Sequence, residues 1–549
     1  CALIFSQVKT NAQTLPENST LRNREAPGVE LNRILQQFQK QRLQRDIVKQ
    51  AQEAEEAQEA EEKKEIEPQK SDATGKEPPE TRLKLNQVEF SQSSVLQPDE
   101  LNKAVREYVG KEVRIADLYQ MIEKINEIYR GKGYITALAV LPPQKIENGN
   151  LKVLLVEGKV GQTKISGNNT TKADYILARV HFPAGELLSI KELDRELQWF
   201  NATNDLKLRV KLQAGSIPGT TDYFLTAFEP DPDQCVIFSD TAGSDGTGRT
   251  RSGISYTNSS ISGIRDSISL TTLFSKNSRA GFINYSRPIN SSGAKISLYH
   301  SFNELQFVQG SGSGFQIHGK SNTIGISLTV PQIAKTTRKE ELIFDFHKQR
   351  SVNQVFGTNF VDDDENRFTL GKAFYRFAPG EIIYYKPTFT HCEFHGLNTN
   401  KFANKFNFDG IWQKRVKDKH SLSLKVTGQK TNFDYLPSSD QFYLGGLYSI
   451  RGFNENVIGG DSGMSVKLDY ICPTSISKPT QFFTFYDWGR IYGKSLLSTR
   501  VIHAAGFGIN HYFADSSSIS LTVGYPFVKQ IGNAKVSPHK VDLAISLAF

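Results

Sequence analysis

The sequence predicts a transmembrane β-barrel of about 16 antiparallel strands, preceded by two small α+β units and an N-terminal amphipathic helix. Three observations carry this reading. The chain is polar on average, with a mean hydropathy of −0.42, yet it holds 35 Phe and 20 Tyr. No stretch reaches the roughly 18 consecutive apolar residues of a spanning helix. From about residue 231 onward, apolar and polar residues alternate in short runs, which hides one apolar face behind a polar average.

Residues 1–27 are read as the remnant of an export signal and a tail. Cys1-Ala-Leu-Ile-Phe is apolar, and Thr10 and Ala12 are the small residues expected before a cut. A lipid-modified Cys1 is the alternative, which the apolar run directly after it disfavours. Residues 28–50 place Leu31, Ile34, Leu35, Phe38, Leu43 and Ile47 among Arg, Gln and Lys, close to one helical stripe. Residues 51–81 open with Gln52-Glu53-Ala54-Glu55-Glu56 and end around Pro78-Pro79. Such a composition cannot bury a core, so this stretch is a linker.

Residues 82–160 and 161–230 form an internal repeat of about 70 residues, each half reading β-α-α-β-β. In the first, Leu83, Leu85, Val88 and Phe90 predict a strand. Pro98 opens a helix running to about Val109, since proline suits the first helical turn. Leu118, Ile122, Ile125 and Ile128 share one face of a second helix that stops at Gly131 and Gly133. Strands follow at Tyr134–Leu141 and Leu151–Val156. The second unit repeats the order, with a strand at Thr163–Ser166, helices at Lys172–Val180 and Ile190–Phe200, and strands at Leu206–Leu212 and Tyr223–Phe228. Each unit must cover one sheet face with its two helices.

Residues 231–549 are all strand. Ile324, Ile326, Leu328 and Val330 alternate with Thr323, Gly325, Ser327 and Thr329, and Ile519, Leu521, Val523 and Tyr525 behave likewise. Val541, Leu543, Ile545, Leu547 and Phe549 fall on one face. Segments of about nine to eleven residues suit tilted membrane strands. An even strand count puts both barrel ends on the side of the preceding units. A soluble β-sandwich or β-helix is the alternative, but about 310 residues is large for one sandwich, and either leaves the terminal Phe549 unexplained.

The net charge of +8 is spread along the chain, so nucleic acid is not an expected partner. Cys1, Cys235, Cys392 and Cys472 are far apart, without the spacing of a zinc or redox motif; a disulfide stays open. No Gly-x-Ser-x-Gly run occurs, and His391, His395 and His420 lack an evident serine partner. No catalytic residue, cofactor or metal site is therefore assigned, and neither an enzyme nor a nucleotide-driven motor is expected.

Two short motifs stand out. Gly445-Gly446-Leu447-Tyr448-Ser449-Ile450-Arg451-Gly452-Phe453 falls in the loop between the eleventh and twelfth expected strands, and Phe485-Tyr486-Asp487-Trp488-Gly489 on the thirteenth. Alternation sets Phe485, Asp487 and Gly489 on one face and Tyr486 and Trp488 on the other. The aromatic pair suits lipid, so Asp487 is expected in the lumen. Arginine suits such a partner because its planar fork can hold a carboxylate through two parallel bonds. In a partly wet lumen the pair would contribute about 1–3 kcal/mol.

On these motifs the chain resembles the TpsB transporters of two-partner secretion, relatives of the barrel-assembly insertases. The likeness covers nearly the whole chain. The two repeated units look like POTRA domains, and residues 28–50 and 51–81 look like the family's plug helix and linker. Ile450, Arg451, Gly452 and Phe453 are similar to its (V/I)RG(Y/F) loop motif, and Phe485, Asp487 and Gly489 to its FxDxG strand motif. The resemblance implies a place in the outer membrane of a Gram-negative bacterium, with POTRA domains in the periplasm. It implies capture of an unfolded, β-rich exoprotein (adhesin, haemolysin, haem scavenger or toxin) and its secretion through the barrel pore. It also implies outer-membrane lipids and the barrel-assembly machinery as partners, with Phe549 as the assembly signal. An insertase of other barrels shares the architecture and is the alternative; a passive porin would not need the leading units.

Overall fold

The computed structural model describes residues 82–549, apart from 245, 310–314, 356–357, 397–398, 418–419, 435, 474–479, 494–498, 515–516 and 533. The expected tail (1–27), plug helix (28–50) and linker (51–81) lie outside the described residues.

The first unit runs β1 (Arg82–Lys84), β2 (Gln87–Phe90), α1 (Pro98–Val105), β3 (Glu112–Arg114), α2 (Ile115–Gly131), β4 (Ala137–Val140) and β5 (Asn150–Glu157). β5 lies between a parallel β2 and an antiparallel β4, while β1 pairs with β3. Leu118, Ile122 and Ile125 of α2 are buried as their spacing predicts, with Met121 and Tyr129 completing the stripe over Leu151, Val153 and Leu155. Two expectations are corrected. The single first strand is broken, because the buried Leu85 turns inward and Asn86 and Gln87 donate to Gly149 O instead of continuing the ladder. The first helix ends at Val105, ahead of a turn whose Gly110 has φ +84°. Glu157 ties the turn before α1 to the sheet, accepting from Ser93 Oγ (2.5 Å), Ser94 N (3.0 Å) and Tyr129 Oη (3.0 Å). Burial disfavours its ionised form, but the bonds from Ser93 and Ser94 outweigh that and hold its carboxyl below the ordinary range.

The second unit runs β6 (Lys159–Ser166), α3 (Ala173–Leu177), α4 (Ile190–Thr203), β7 (Lys207–Ala214) and β8 (Thr220–Phe228). Here too the last strand is central, parallel to the first and antiparallel to its neighbour in sequence. Ser189 and Glu192 cap α4 reciprocally, Ser189 Oγ accepting from Glu192 N and Glu192 Oε2 from Ser189 N.

Sixteen antiparallel strands close into a barrel, from the first (Asp233–Asp240) to the sixteenth (Lys540–Ala548), which pair with each other. Alternation sorts the wall inside out. Ile324, Phe368, Phe389, Phe406, Leu521 and Val541 are exposed outward, whereas Thr323, Arg367, Thr390, Lys405, Thr522 and Asp542 point into the lumen. The same alternation turns Cys392 inward and Cys472 outward, and with Cys235 they are free thiols. The expected strand length needs correction. Strands run from 8 to 21 residues, the longest being the eighth (Thr358–Ala378). Beyond the apolar belt the middle hairpins go on pairing with polar side chains, as where Arg350 meets Asp362 at 3.3 Å. The apolar alternation marks only the part facing lipid.

Gly314 to Ser321 match the Gly-x4-Gly-Lys-Ser spacing of a phosphate-binding loop, which the expectation of no motor passed over. Phe315–Ala334 is the sixth barrel strand, with Lys320 opposite Glu304 and Val352 on its two neighbours. A phosphate cradle needs a loop that opens a helix, so the match carries no nucleotide chemistry.

Candidate functional site in the barrel lumen

The loop between the eleventh (His420–Thr431) and twelfth (Ser462–Pro473) strands folds back into the barrel as a short hairpin, Phe442–Leu444 pairing with Ile458–Gly460. Glycine permits its turns: Gly445, Gly446 and Gly452 sit at φ +110°, +104° and +87°. Ile450 and Phe453 are buried with Leu444 and Ile458 against Ile491, Ile502 and Ala504 of the wall. Gly489 makes room for them, since a Cβ there would stand 2.8 Å from Leu444 and 3.1 Å from Ile450. Gly452 lies against Gly524 of the fifteenth strand (Ser517–Pro526) so closely that a Cβ on Gly524 would sit 2.6 Å from the loop backbone.

Between these apolar contacts the two motifs meet. Arg451 donates through Nε to Asp487 Oδ2 and through Nη2 to Asp487 Oδ1, both at 2.7 Å, and its backbone N–H reaches Oδ2 at 2.9 Å. Asp487 lies on the thirteenth strand (Thr480–Tyr492), its side chain fully buried. The guanidinium stacks 3.7 Å from the Phe485 ring centroid, which gives that motif residue its role in the contact. Tyr486, on the other face, is 44% exposed, as alternation requires. Two features depart from the expected pair. The site is buried rather than partly open to the lumen, with Arg451 only 6% exposed. It also holds a second acceptor, Asp469 of the twelfth strand, whose Oδ1 takes Arg451 Nη2 at 2.6 Å. Asp469 stands directly opposite Phe485 in the ladder, one diagonal step from Asp487.

The loop reaches other walls as well. Tyr448 donates from its hydroxyl to Asp240 Oδ2 on the first strand at 2.9 Å, and Asp240 also receives Arg251 of the second strand (Arg251–Asn258) through two 2.8 Å bonds. At the root of the loop, Asp440 meets Arg367 and Lys405 on the eighth and tenth (Thr399–Lys417) strands. Sequence reasoning missed these partners. Their one signal is ionisable residues on the lumen face of a strand, such as Glu365 and Arg367 two apart.

Glu365, Cys392 and Asp440 bring one sulfur and two carboxylates within 4.8 Å of one another. Arg367 and Lys405 already supply the cations for these carboxylates, so the set does not suit a metal ion. Of the histidines singled out, His391 bonds Asn404 and His420 bonds Tyr470, neither a serine. Phe549 is 75% exposed, and its backbone exchanges hydrogen bonds with Cys235 at the seam between last and first strands.

A sixteen-strand barrel with a polar lumen and an inward loop, preceded by two β-α-α-β-β units, defines an outer-membrane barrel of the POTRA-bearing class. Residues 83–158 match the ShlB-type POTRA domain, and residues 219–511 match the family described as haemolysin secretion/activation protein ShlB/FhaC/HecB. The chain belongs to that family, the TpsB transporters of two-partner secretion. It is 23% identical to the heme/hemopexin transporter protein HuxB of Haemophilus influenzae, over 82% of this chain and 85% of the relative. It is 23% identical to the outer membrane transporter CdiB of Dickeya dadantii, over 69% and 70%. CdiB from Escherichia coli shares the fold with a TM-score of 0.66 at 18% identity, covering 95% of this chain and all of that one. The barrel therefore sits in the outer membrane, and the POTRA domains face the periplasm.

Proposed function

We propose that the POTRA domains capture an unfolded, β-rich exoprotein and that the barrel secretes it as an extended chain, with the Arg451 loop as the movable element of the pore. The observation that carries this is the loop itself. It crosses the lumen and is held by ion pairs and hydrogen bonds at discrete points, contacts that can be exchanged without unmaking the wall. A barrel of about 16 strands is wide enough for an aqueous channel once its contents move aside. Capture is supported by the sheet edges: β2 and β4 in the first unit, and β6 and β7 in the second, have one side unpaired within their sheets. An extended chain can add to such an edge as a further strand. Free energy for export comes from the partner folding outside, which makes backward slippage costly. The name of the relative HuxB, a heme/hemopexin transporter protein, favours a partner that handles heme or hemopexin.

The test is expression in an outer membrane lacking such transporters, with and without the protein encoded by the neighbouring gene. The partner is expected in the medium only when the transporter is present. A partner retained in the periplasm would overturn secretion, and a fall in unrelated outer-membrane barrels on removal of this chain would favour an insertase.

Phe549 is read as the assembly signal: its exposed ring suits the lipid face and recognition by the barrel-assembly machinery, while its backbone adds a rung to the closing seam. Deleting it is expected to lower outer-membrane levels severalfold, about the effect of losing 1 kcal/mol or more at the seam. Immunoblots of isolated outer membranes check this, and unchanged levels would refute it.

A further inference from the structure

The loop is held a second time, at its root, by residues outside both motifs. Asp440 closes the short turn Ser438–Asp440, and its side chain is fully buried. Its Oδ1 accepts from Arg367 Nη2 at 2.7 Å and from Lys405 Nζ. Arg367 is in turn held by Glu365, through Nε at 2.8 Å and Nη2 at 3.1 Å. The Asp440 carbonyl accepts from Gln429 at 2.7 Å, and the same amide donates to Asp461 O at 2.9 Å, which joins the two ends of the loop. These four charges cancel. Glu365, Arg367 and Lys405 belong to the wall, and only Asp440 travels with the loop. If it leaves, two buried cations face one carboxylate, so the wall itself favours the docked position.

We propose that Asp440 is a second positioning residue of the transport loop, binding its root to the eighth and tenth strands through Arg367 and Lys405. The reason is chain entropy. Tethering at Asp440 shortens the free chain ahead of Arg451 by about half, so the fork reaches Asp487 from a smaller set of conformations. This inference rests on the loop being the movable element of the pore.

Full-length protein in planar lipid bilayers, alongside secretion in cells, tests it. Asp440→Asn is expected to raise flicker between current levels about tenfold, the scale of one lost charge-assisted hydrogen bond. Secretion falls with it, while the folded barrel keeps its heat-modifiable gel mobility. Asp440→Glu is expected to behave much like the parent. Adding Lys405→Met to Asp440→Asn removes the surplus charge and is expected to quieten the current again, which a mere packing role would not do. Parental current and secretion in Asp440→Asn, or no quieting in the double variant, overturn the proposal. If Asp440→Asn does not insert, the double variant decides: insertion with a quiet current supports the proposal, and failure to insert overturns it. Arg451→Ala is the comparison. Should it too show a parental current, the reading of the loop as movable element fails; flicker in Arg451→Ala alone removes only the role of Asp440.

Discussion

Replacing Arg451 by Ala is expected to cut secretion at least about tenfold while leaving barrel assembly intact. The substitution removes the two-pronged bond to Asp487, the bond to Asp469 and the stack on Phe485. Truncating one partner of a buried, hydrogen-bonded ion pair costs about 3–5 kcal/mol, enough to turn a docked loop into an undocked one. An untethered loop then wanders over the cross-section that the exported chain must thread. The wall survives because its ladder does not depend on the loop, and because Lys425 and Lys467 remain near Asp469 and Asp487 to offset their charge. Partner protein in the medium, measured against heat-modifiable barrel in the membrane, gives the answer. Undiminished secretion, or disappearance of the barrel, would contradict the assignment. Arg451→Lys is expected to recover little, since an ammonium is a point charge that cannot reproduce the planar fork.

A comparable loss is expected from Gly524→Val, which leaves every charged residue in place. Even the first carbon of the new side chain would lie 2.6 Å from Gly452 N and Cα, and backbone cannot swing aside as a side chain does. The loop must lift, and a shift of about 1 Å already spoils hydrogen bonds of 2.7 Å. Secretion is therefore expected to drop about tenfold, again with normal amounts of folded barrel. Gly524→Ala should lie between parent and Gly524→Val. Full secretion by Gly524→Val would show that the close approach of loop and wall is dispensable, and that the ion pairs alone seat the loop.

Much of this was legible in order along the chain. The alternation of Ile519, Leu521, Val523 and Tyr525 with polar neighbours is a local property, because a strand sends successive side chains to opposite faces whatever it pairs with. The same is true of the helical stripe Leu118, Ile122 and Ile125, and of the division of Phe485, Asp487 and Gly489 from Tyr486 and Trp488. Polar continuation of the middle hairpins was not legible, since nothing in a run such as Asp362–Asp364 marks it as strand until a partner strand lies beside it.

By itself, then, the sequence determined that a barrel with an apolar outside follows two similar units, and that Arg451 and Asp487 are matched in chemistry. Tertiary structure alone decided which walls the loop touches. Asp469 becomes the second acceptor through the register of the twelfth and thirteenth strands, and Asp240 and Asp440 become partners only because the loop crosses the closed ring. Local periodicity follows from bonds between neighbours in the chain, whereas such contacts join residues up to 208 positions apart and exist only once the ring has shut.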